Sequence, residues 1–257
     1  MAKEMSYDVI GNIAILSLYT KNSKAAAKKL LFEHKNLQTV MQKSSRIKGR
    51  LRKAELKFIA GKKVSETIHH ENKCLMKLDV KTCYFSPRLS NDRIDIAKQV
   101  KPGEKVLVMF SGIAPYALVI AKNTNAKEVY AIELNKKATK YAKENVRLNK
   151  LNNVIVIQGD VKKIIPKLSR KIKFDRIIMS RPQLKDDFLD SALKAAKKGT
   201  VIHFYDFLFE EDMPNNAIKK IENAIKKAKK KFKIIKWKKA LEIGPRKWRV
   251  RVDFIVL

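Results

Sequence analysis

Only two of the 257 residues are cysteine, Cys74 and Cys83, too few for a disulfide framework or a four-thiolate zinc site, so packing is their expected role. Glycine is scarce too, with eight in all, and no G-x-G-x-x-G run occurs, which argues against a pyrophosphate lying over a helix N-terminus. No apolar stretch approaches the roughly 18 residues of a membrane span, and neither a signal peptide nor a lipidation motif is present. A soluble, intracellular and cytoplasmic chain is therefore expected. Acidic residues are few, 25 against 58 Lys and Arg, which leaves a formal charge of +33. Such an excess points to a polyanionic partner, with nucleic acid first and an anionic membrane surface second. Part of the excess has a plainer explanation. Ile218, Ile221, Ile225 and Ala228 keep helical spacing between lysines, so those lysines read as the solvated face of an amphipathic helix. His69-His70-Glu71 with Cys74 has the composition of a metal cluster. Adjacent histidines on a strand point to opposite faces, however, and no metal site is expected.

What the chain does contain is concentrated between Val106 and Asp160. Val106-Leu107-Val108-Met109 reads as a short buried strand, and Phe110-Ser111-Gly112-Ile113-Ala114-Pro115-Tyr116 turns off its end into the apolar segment Ala117 to Ala121. Val129 to Ile132 is the next strand and ends in Glu133, about 20 residues past Gly112, where a parallel sheet can accept two ribose hydroxyls. Val154 to Gln158 and Gly159 lead in the same way to Asp160. Single-glycine turns after strands are common in α/β proteins. The two acids at successive strand ends turn this one toward an adenosine-bearing cofactor that presents an uncharged or cationic group to the loop, as S-adenosylmethionine does.

Two domains are expected, residues 1–82 and 83–257. In the first, Tyr7 to Ile10, Gly11-Asn12 and Ile13 to Leu16 make a hairpin, Ser23 to His34 is helical, and short strands fall at Thr39–Met41, Glu55–Ala60, Thr67–His70 and Cys74–Leu78. This is a small α+β module. Lys43, Arg46, Lys48, Arg50, Arg52 and Lys53 are either phosphate contacts or a solvated loop. Beyond Ser90 helices and strands alternate. Asn135 can cap a helix, Asp175–Met179 and Thr200–Phe204 are strands, and Ile234–Trp237 with Trp248–Val256 form a terminal antiparallel hairpin. The fold class is α/β: a Rossmann-like methyltransferase sheet closed by that hairpin.

Tyr84-Phe85-Ser86-Pro87-Arg88-Leu89 resembles a motif of the archaeal and eukaryotic tRNA (guanine-N1)-methyltransferases, which modify the guanosine 3′ of the anticodon. Met109 to Gly112 with Pro115, Val129 to Asn135, Glu144-Asn145 with Leu148-Asn149-Lys150, Gly159-Asp160-Val161 and Val201 to Tyr205 add to the likeness. Gly11 to Ala14 and Glu66 to His69 extend it over nearly the whole chain. The resemblance implies methyl transfer from S-adenosylmethionine to a guanine ring nitrogen of tRNA, with the anticodon stem-loop as partner. The cofactor would lie across Phe110, Ser111, Gly112, Pro115 and Tyr116, with Glu133 on the ribose and Asp160 near the adenine. Arg88 would stabilise charge on guanine O6 as the ring proton leaves, and Ser180 and Pro182 would form the floor of the base pocket. The proton acceptor is open, with Asp92 and Asp206 as candidates that can equally be structural. No obligate protein partner is implied, and a monomer is the default.

The sequence departs from the family at two places. Val108 stands where an acid is usual, removing a carboxylate that organises the cofactor loop. Ser180-Arg181-Pro182 replaces an Asn-Leu-Pro type motif, exchanging an amide for a shorter hydroxyl and adding a charge. The chain also begins at the family's middle domain, so any check of the outer corner of tRNA would need another route. Related wyosine-pathway transferases and a catalytically weakened tRNA-binding relative are the alternatives.

Overall fold

The computed structural model describes residues 6–45, 55–180 and 186–257. Gly11 opens the fold at φ +55° between β1 (Tyr7–Ile10) and β2 (Ile13–Leu16), a left-handed turn that matches the twist of a tight hairpin. α1 (Ser23–Glu33) then crosses to β3 (Thr39–Lys43), which lies parallel to β2, and β4 (Leu56–Gly61) closes the four-stranded sheet antiparallel. Asn22 caps α1 by accepting from the Ala25 amide at 3.3 Å. The helix buries Ala27 and Leu30 against Ala14, Leu16 and Val40 of the sheet.

β5 (Glu66–Glu71) and β6 (Cys74–Asp79) form a separate hairpin whose two-residue turn, Asn72-Lys73, has φ +46° and +65°. Along β5 exposed and covered residues alternate, so His69 and His70 do face opposite ways. Both thiols, Cys74 and Cys83, are buried and pushed up to about 11 by desolvation, which leaves them protonated packing groups.

A short 3-10 turn, Pro87–Leu89, leads into α2 (Ser90–Ala97) and the main sheet. There follow β7 (Lys105–Met109), α3 (Pro115–Asn123), β8 (Glu128–Glu133), α4 (Lys136–Leu148), β9 (Val154–Gln158), α5 (Val161–Leu168), β10 (Phe174–Met179), α6 (Leu189–Ala195) and β11 (Ala196–Phe209). The chain ends with α7 (Asn215–Lys227), β12 (Phe232–Gly244) and β13 (Lys247–Val256). The sheet order is β12-β13-β11-β10-β7-β8-β9, parallel from β9 to β11, with β13 antiparallel to both of its neighbours. The strand order reverses between β7 and β10, and the crevice outside their C-terminal ends is where such sheets take ligands. β11 and β12 run well beyond the expected Thr200–Phe204 and Ile234–Trp237, because β13 supplies a long antiparallel partner for both. The lysines of α7 are exposed or partly so, while Ala217, Ile221, Ala224 and Ile225 are buried, as the helical spacing requires.

The small sheet is not tethered loosely. One apolar cluster runs from Ile10, Ile13 and Met41 through Met76 and Leu78 to Val106, Ile113 and Leu118. Polar contacts repeat the connection. Asn145 of α4 and Asn149 at its C-cap, one turn on, accept from the amides of Lys77 and Leu75 at 2.7 and 2.8 Å. Their own amide groups donate to the carbonyls of the same two residues at 3.0 and 2.7 Å. Two side chains thereby satisfy backbone groups along β6 that no neighbouring strand reaches. Among the described residues no helix is long and apolar enough to cross a membrane.

Candidate active site

Three residues in five after β7 adopt left-handed backbone: Phe110 at φ +60°, Gly112 at +58° and Ala114 at +71°. For the two with a Cβ this costs about 1 kcal/mol each, and such strain persists only where neighbours over-determine it. They do so here. The Ser111 amide donates to Ile132 O at 2.9 Å and the Gly112 amide to Glu133 Oε2 at 2.7 Å. The Phe110 ring meets the edge of Phe188 at 4.9 Å. Pro115 then starts α3 at its first turn, where its missing N–H is no loss.

Glu133 is the clamp of this loop. Its other oxygen, Oε1, accepts from the Asn135 amide at 2.7 Å, and Asn135 in turn caps α4 through the Lys137 amide at 3.0 Å. Burial pushes the Glu133 carboxyl above its ordinary 4.5, against the opposing pull of the Asn135, Gly112 and Leu134 amides. The two oxygens of a carboxylate have four acceptor sites between them, so beside these three amides one remains for a ligand hydroxyl. The Gly159 amide donates to Glu133 O at 2.8 Å, bringing Asp160 to the neighbouring strand end. Asp160 caps α5 by accepting from the Lys162 amide at 3.0 Å. The Ser111 hydroxyl is buried without a hydrogen-bond partner among the described residues.

Across this loop lies the strap from Tyr84 to Arg88. A Cβ built on Gly112 would sit 3.6 Å from Tyr84 O and near nothing else. Arg93 of α2 fixes the strap by donating to Ser86 O at 3.0 Å while forking onto Glu71 of β5, with both bonds at 2.5 Å. Its guanidinium also covers the Phe85 ring at 5.1 Å. Arg88 projects from the end of the strap with its side chain 48 % exposed, and its Nε donates to Asp8 Oδ1 of β1 at 2.5 Å.

Beneath the strap a charged network is sealed in the core. Asp92 Oδ2 accepts from Tyr116 Oη at 2.7 Å and also from Tyr205 Oη, and its Oδ1 accepts from Arg251 at 2.7 Å. Arg251 reaches on to Asp95 at 2.6 Å and Asp253 at 2.9 Å. Asp253 bonds His203 Nδ1 at 2.7 Å, while His203 Nε2 faces Arg176 at 2.9 Å. Arginine can only donate, so Nε2 is the acceptor and the imidazole is neutral with its proton on Nδ1. Burial lowers the His203 pKa, as that tautomer requires.

The expected residues thus divide into two groups. Phe110, Ser111, Gly112, Pro115, Glu133 and Asp160 gather on the loop and the adjoining strand ends. The Tyr116 ring turns away into the buried network, so only its place at the start of α3 touches that region. The Ser180 hydroxyl donates to Met109 O at 3.1 Å and Phe110 O at 3.4 Å, tying β10 to β7. Pro182 and Arg181 lie outside the described residues, as do Arg46, Lys48, Arg50, Arg52 and Lys53. Asp92 has both oxygens occupied, and buried Asp206 holds Lys220 and the Phe207 amide. Both are engaged in contacts that hold the fold together. Val108 is fully packed between Ala131 and Ile178, and the loop ordering expected of an acid there comes from Glu133. The contacts not foreseen were the fork of Arg93 onto Glu71 and the bonds of Asn145 and Asn149 to β6, although both asparagines stand in the likeness carried by Glu144-Asn145 with Leu148-Asn149-Lys150. A buried asparagine inside a helix, Asn145, where that residue is unfavourable, was a second signal.

With this geometry in view, the pattern of the TRM5/TYW2 methyltransferase domain matches residues 67–235, and that of the TYW2 N-terminal domain matches residues 2–64. The chain belongs to the TRM5/TYW2 methyltransferase family. It is 37 % identical to the tRNA (guanine(37)-N(1))-methyltransferase Trm5b of Pyrococcus abyssi, over 98 % of this chain and 74 % of its relative. The crystal structure of that protein superposes with a TM-score of 0.86, at 38 % identity and the same coverage of both chains. The tRNA(Phe) (4-demethylwyosine(37)-C(7)) aminocarboxypropyltransferase of Methanocaldococcus jannaschii is 31 % identical over 97 % of each chain. A structure described as the complex of aTrm5 and tRNALeu aligns at 31 % identity with a TM-score of 0.84, over 97 % of this chain and 71 % of that one.

Proposed function

We infer that this protein is a tRNA (guanine-N1)-methyltransferase that moves a methyl group from S-adenosylmethionine to the guanosine 3′ of the anticodon. The observation that carries the reading is the Tyr84–Arg88 strap lying over the Gly112 loop, with an exposed guanidinium at its end, in a chain similar to Trm5b over almost its full length.

The residues present fit the cofactor. Glu133 keeps an acceptor site for a ribose hydroxyl, Ser111 has a hydroxyl without a partner among the described residues, and Gly112 leaves its open side without a Cβ. When bound, S-adenosylmethionine supplies an electrophilic methyl group. The protein's part is to hold the base and manage its charge. Neutral guanine carries a proton on the attacking nitrogen, and as it leaves, negative charge grows on O6, where Arg88 would stabilise it. The formal charge of +33 draws in the tRNA backbone and makes binding salt-dependent. We read the protein as acting as a monomer in the cytoplasm.

Labelled cofactor incubated with tRNA transcripts that differ only in the base 3′ of the anticodon, followed by mass analysis of the nucleoside, tests the reading. A methylguanosine from the guanosine transcript alone is expected. The N-terminal match to TYW2 and the replaced motif at Ser180-Arg181 favour one rival, aminocarboxypropyl transfer. An aminocarboxypropyl product formed on tRNA that already carries the tricyclic 4-demethylwyosine base, an acceptor the plain transcripts lack, would establish it instead.

A further inference from the structure

Asp8 belongs to the small N-terminal sheet, far in sequence from the strap, yet it holds the inner nitrogen of Arg88 at 2.5 Å. Its other oxygen accepts from Lys43 Nζ at 3.3 Å. The carboxylate is mostly covered, with its side chain 16 % exposed, whereas the arginine is 48 % exposed. Among the described residues the terminal Nη groups of Arg88 have no hydrogen-bond partner. The guanidinium is therefore gripped by its Nε edge, and the outward fork stays open.

We propose that Asp8 is a positioning residue for the reaction: it fixes the rotamer of Arg88 so that the open fork meets the guanine oxygen, and Lys43 keeps the group cationic while it does so. The proposal rests on the reading of Arg88 given above.

Two physical points support it. A long arginine side chain at the surface samples many rotamers, and a site that must first order it stabilises the transition state less well. Asp8 removes that freedom before the base arrives. A lone carboxylate would also cancel the charge that O6 needs, since opposite unit charges in contact screen each other from a third. With Lys43 on the second oxygen, two cations share one anion and the trio keeps a net positive charge. The N-terminal module thereby contributes to the chemistry as well as to RNA contact, and a shared apolar cluster ties it to the main sheet.

The test is a double-mutant cycle in the full-length protein with tRNA transcript and labelled cofactor. Asp8→Asn should lower kcat about tenfold, the scale on which partial misplacement of a reacting group is felt, with the KM for S-adenosylmethionine unchanged. In an Arg88→Ala background the same change should have no further effect, and Asp8→Glu should recover part of the loss. Thermal melting confirms folding. If Asp8→Asn does not fold, the cycle is read on Asp8→Glu, whose carboxylate is kept but displaced. A kcat within twofold of the parent overturns the proposal, and so does a loss that multiplies with that of Arg88→Ala, because Asp8 would then act elsewhere. Failure of the underlying reading looks different: Arg88→Ala alone would leave kcat intact, and the proposal would fall with it.

Discussion

Replacing Asp92 by asparagine exchanges one carboxylate oxygen for an NH2 group at the centre of the buried network. The carboxylate is 3 % exposed and accepts from two tyrosine hydroxyls and from Arg251, with Lys238 Nζ 3.7 Å away. The amide retains one acceptor oxygen, and a tyrosine hydroxyl can rotate to accept from its NH2 group. Arg251 keeps Asp95 and Asp253, so no guanidinium is stranded. What is lost is one strong charge-assisted bond, about 2–3 kcal/mol. Asp92→Ala leaves both hydroxyls and part of Arg251 unpaired and should cost about 3–5 kcal/mol. For a chain of this size each kcal/mol lowers Tm by about 2–4 °C, so the asparagine variant should melt about 5–10 °C below the parent and the alanine variant lower still. Differential scanning calorimetry measures the shift. Methyl transfer by the folded asparagine variant at 25 °C should fall far less than the hundredfold or more expected for loss of a proton acceptor. A Tm within about 1 °C of the parent would refute the energetic reasoning. A collapse of turnover with cofactor affinity intact would show that Asp92 takes the substrate proton after all.

Glu133→Gln removes the charge that clamps the loop and, on the proposed reading, would meet the ribose, and should raise the cofactor Kd about 10–100-fold by calorimetry. In the parent, affinity should fall as pH drops through a value above 4.5, since burial raises the Glu133 pKa; affinity that holds until well below 4 would contradict that role. His203 is held neutral, with its folded pKa depressed below 6.5. Its contribution to stability is present above pH 6.5 and lost as pH falls through the depressed value. Asp253, Asp95 and Asp175 follow, because ion pairs and hydrogen bonds outweigh burial and hold each below its ordinary 3.8. Tm measured against pH should therefore decline below 6.5 and steepen below about 4; a rise between 6.5 and 5 would contradict the tautomer assigned to His203. Gly11→Ala would place a Cβ 2.1 Å from Thr67 Oγ1 and 2.4 Å from Ile68 O at φ +55°, and because backbone cannot yield as a side-chain end does, a cost of about 3 kcal/mol is expected in urea unfolding.

Local pattern alone located most of the elements and the cofactor loop. The single-glycine turn, the acids at the ends of successive strands and the helical spacing of α7 all survive in the structure, because each depends on residues near one another in sequence. The long β11, β12 and β13 did not declare their lengths, since a strand extends as far as its partner does. The same limit hid the Arg93–Glu71 fork, the asparagine pair along β6 and the grip of Asp8 on Arg88. Sequence determined which side chains can carry charge, turn the backbone or fill the core. Only the tertiary structure decided which of those charges meet, because electrostatic contacts act over a few ångströms of space whatever the length of chain between them, and it locks Tyr116 and Asp92 in the core while leaving Arg88 at the surface.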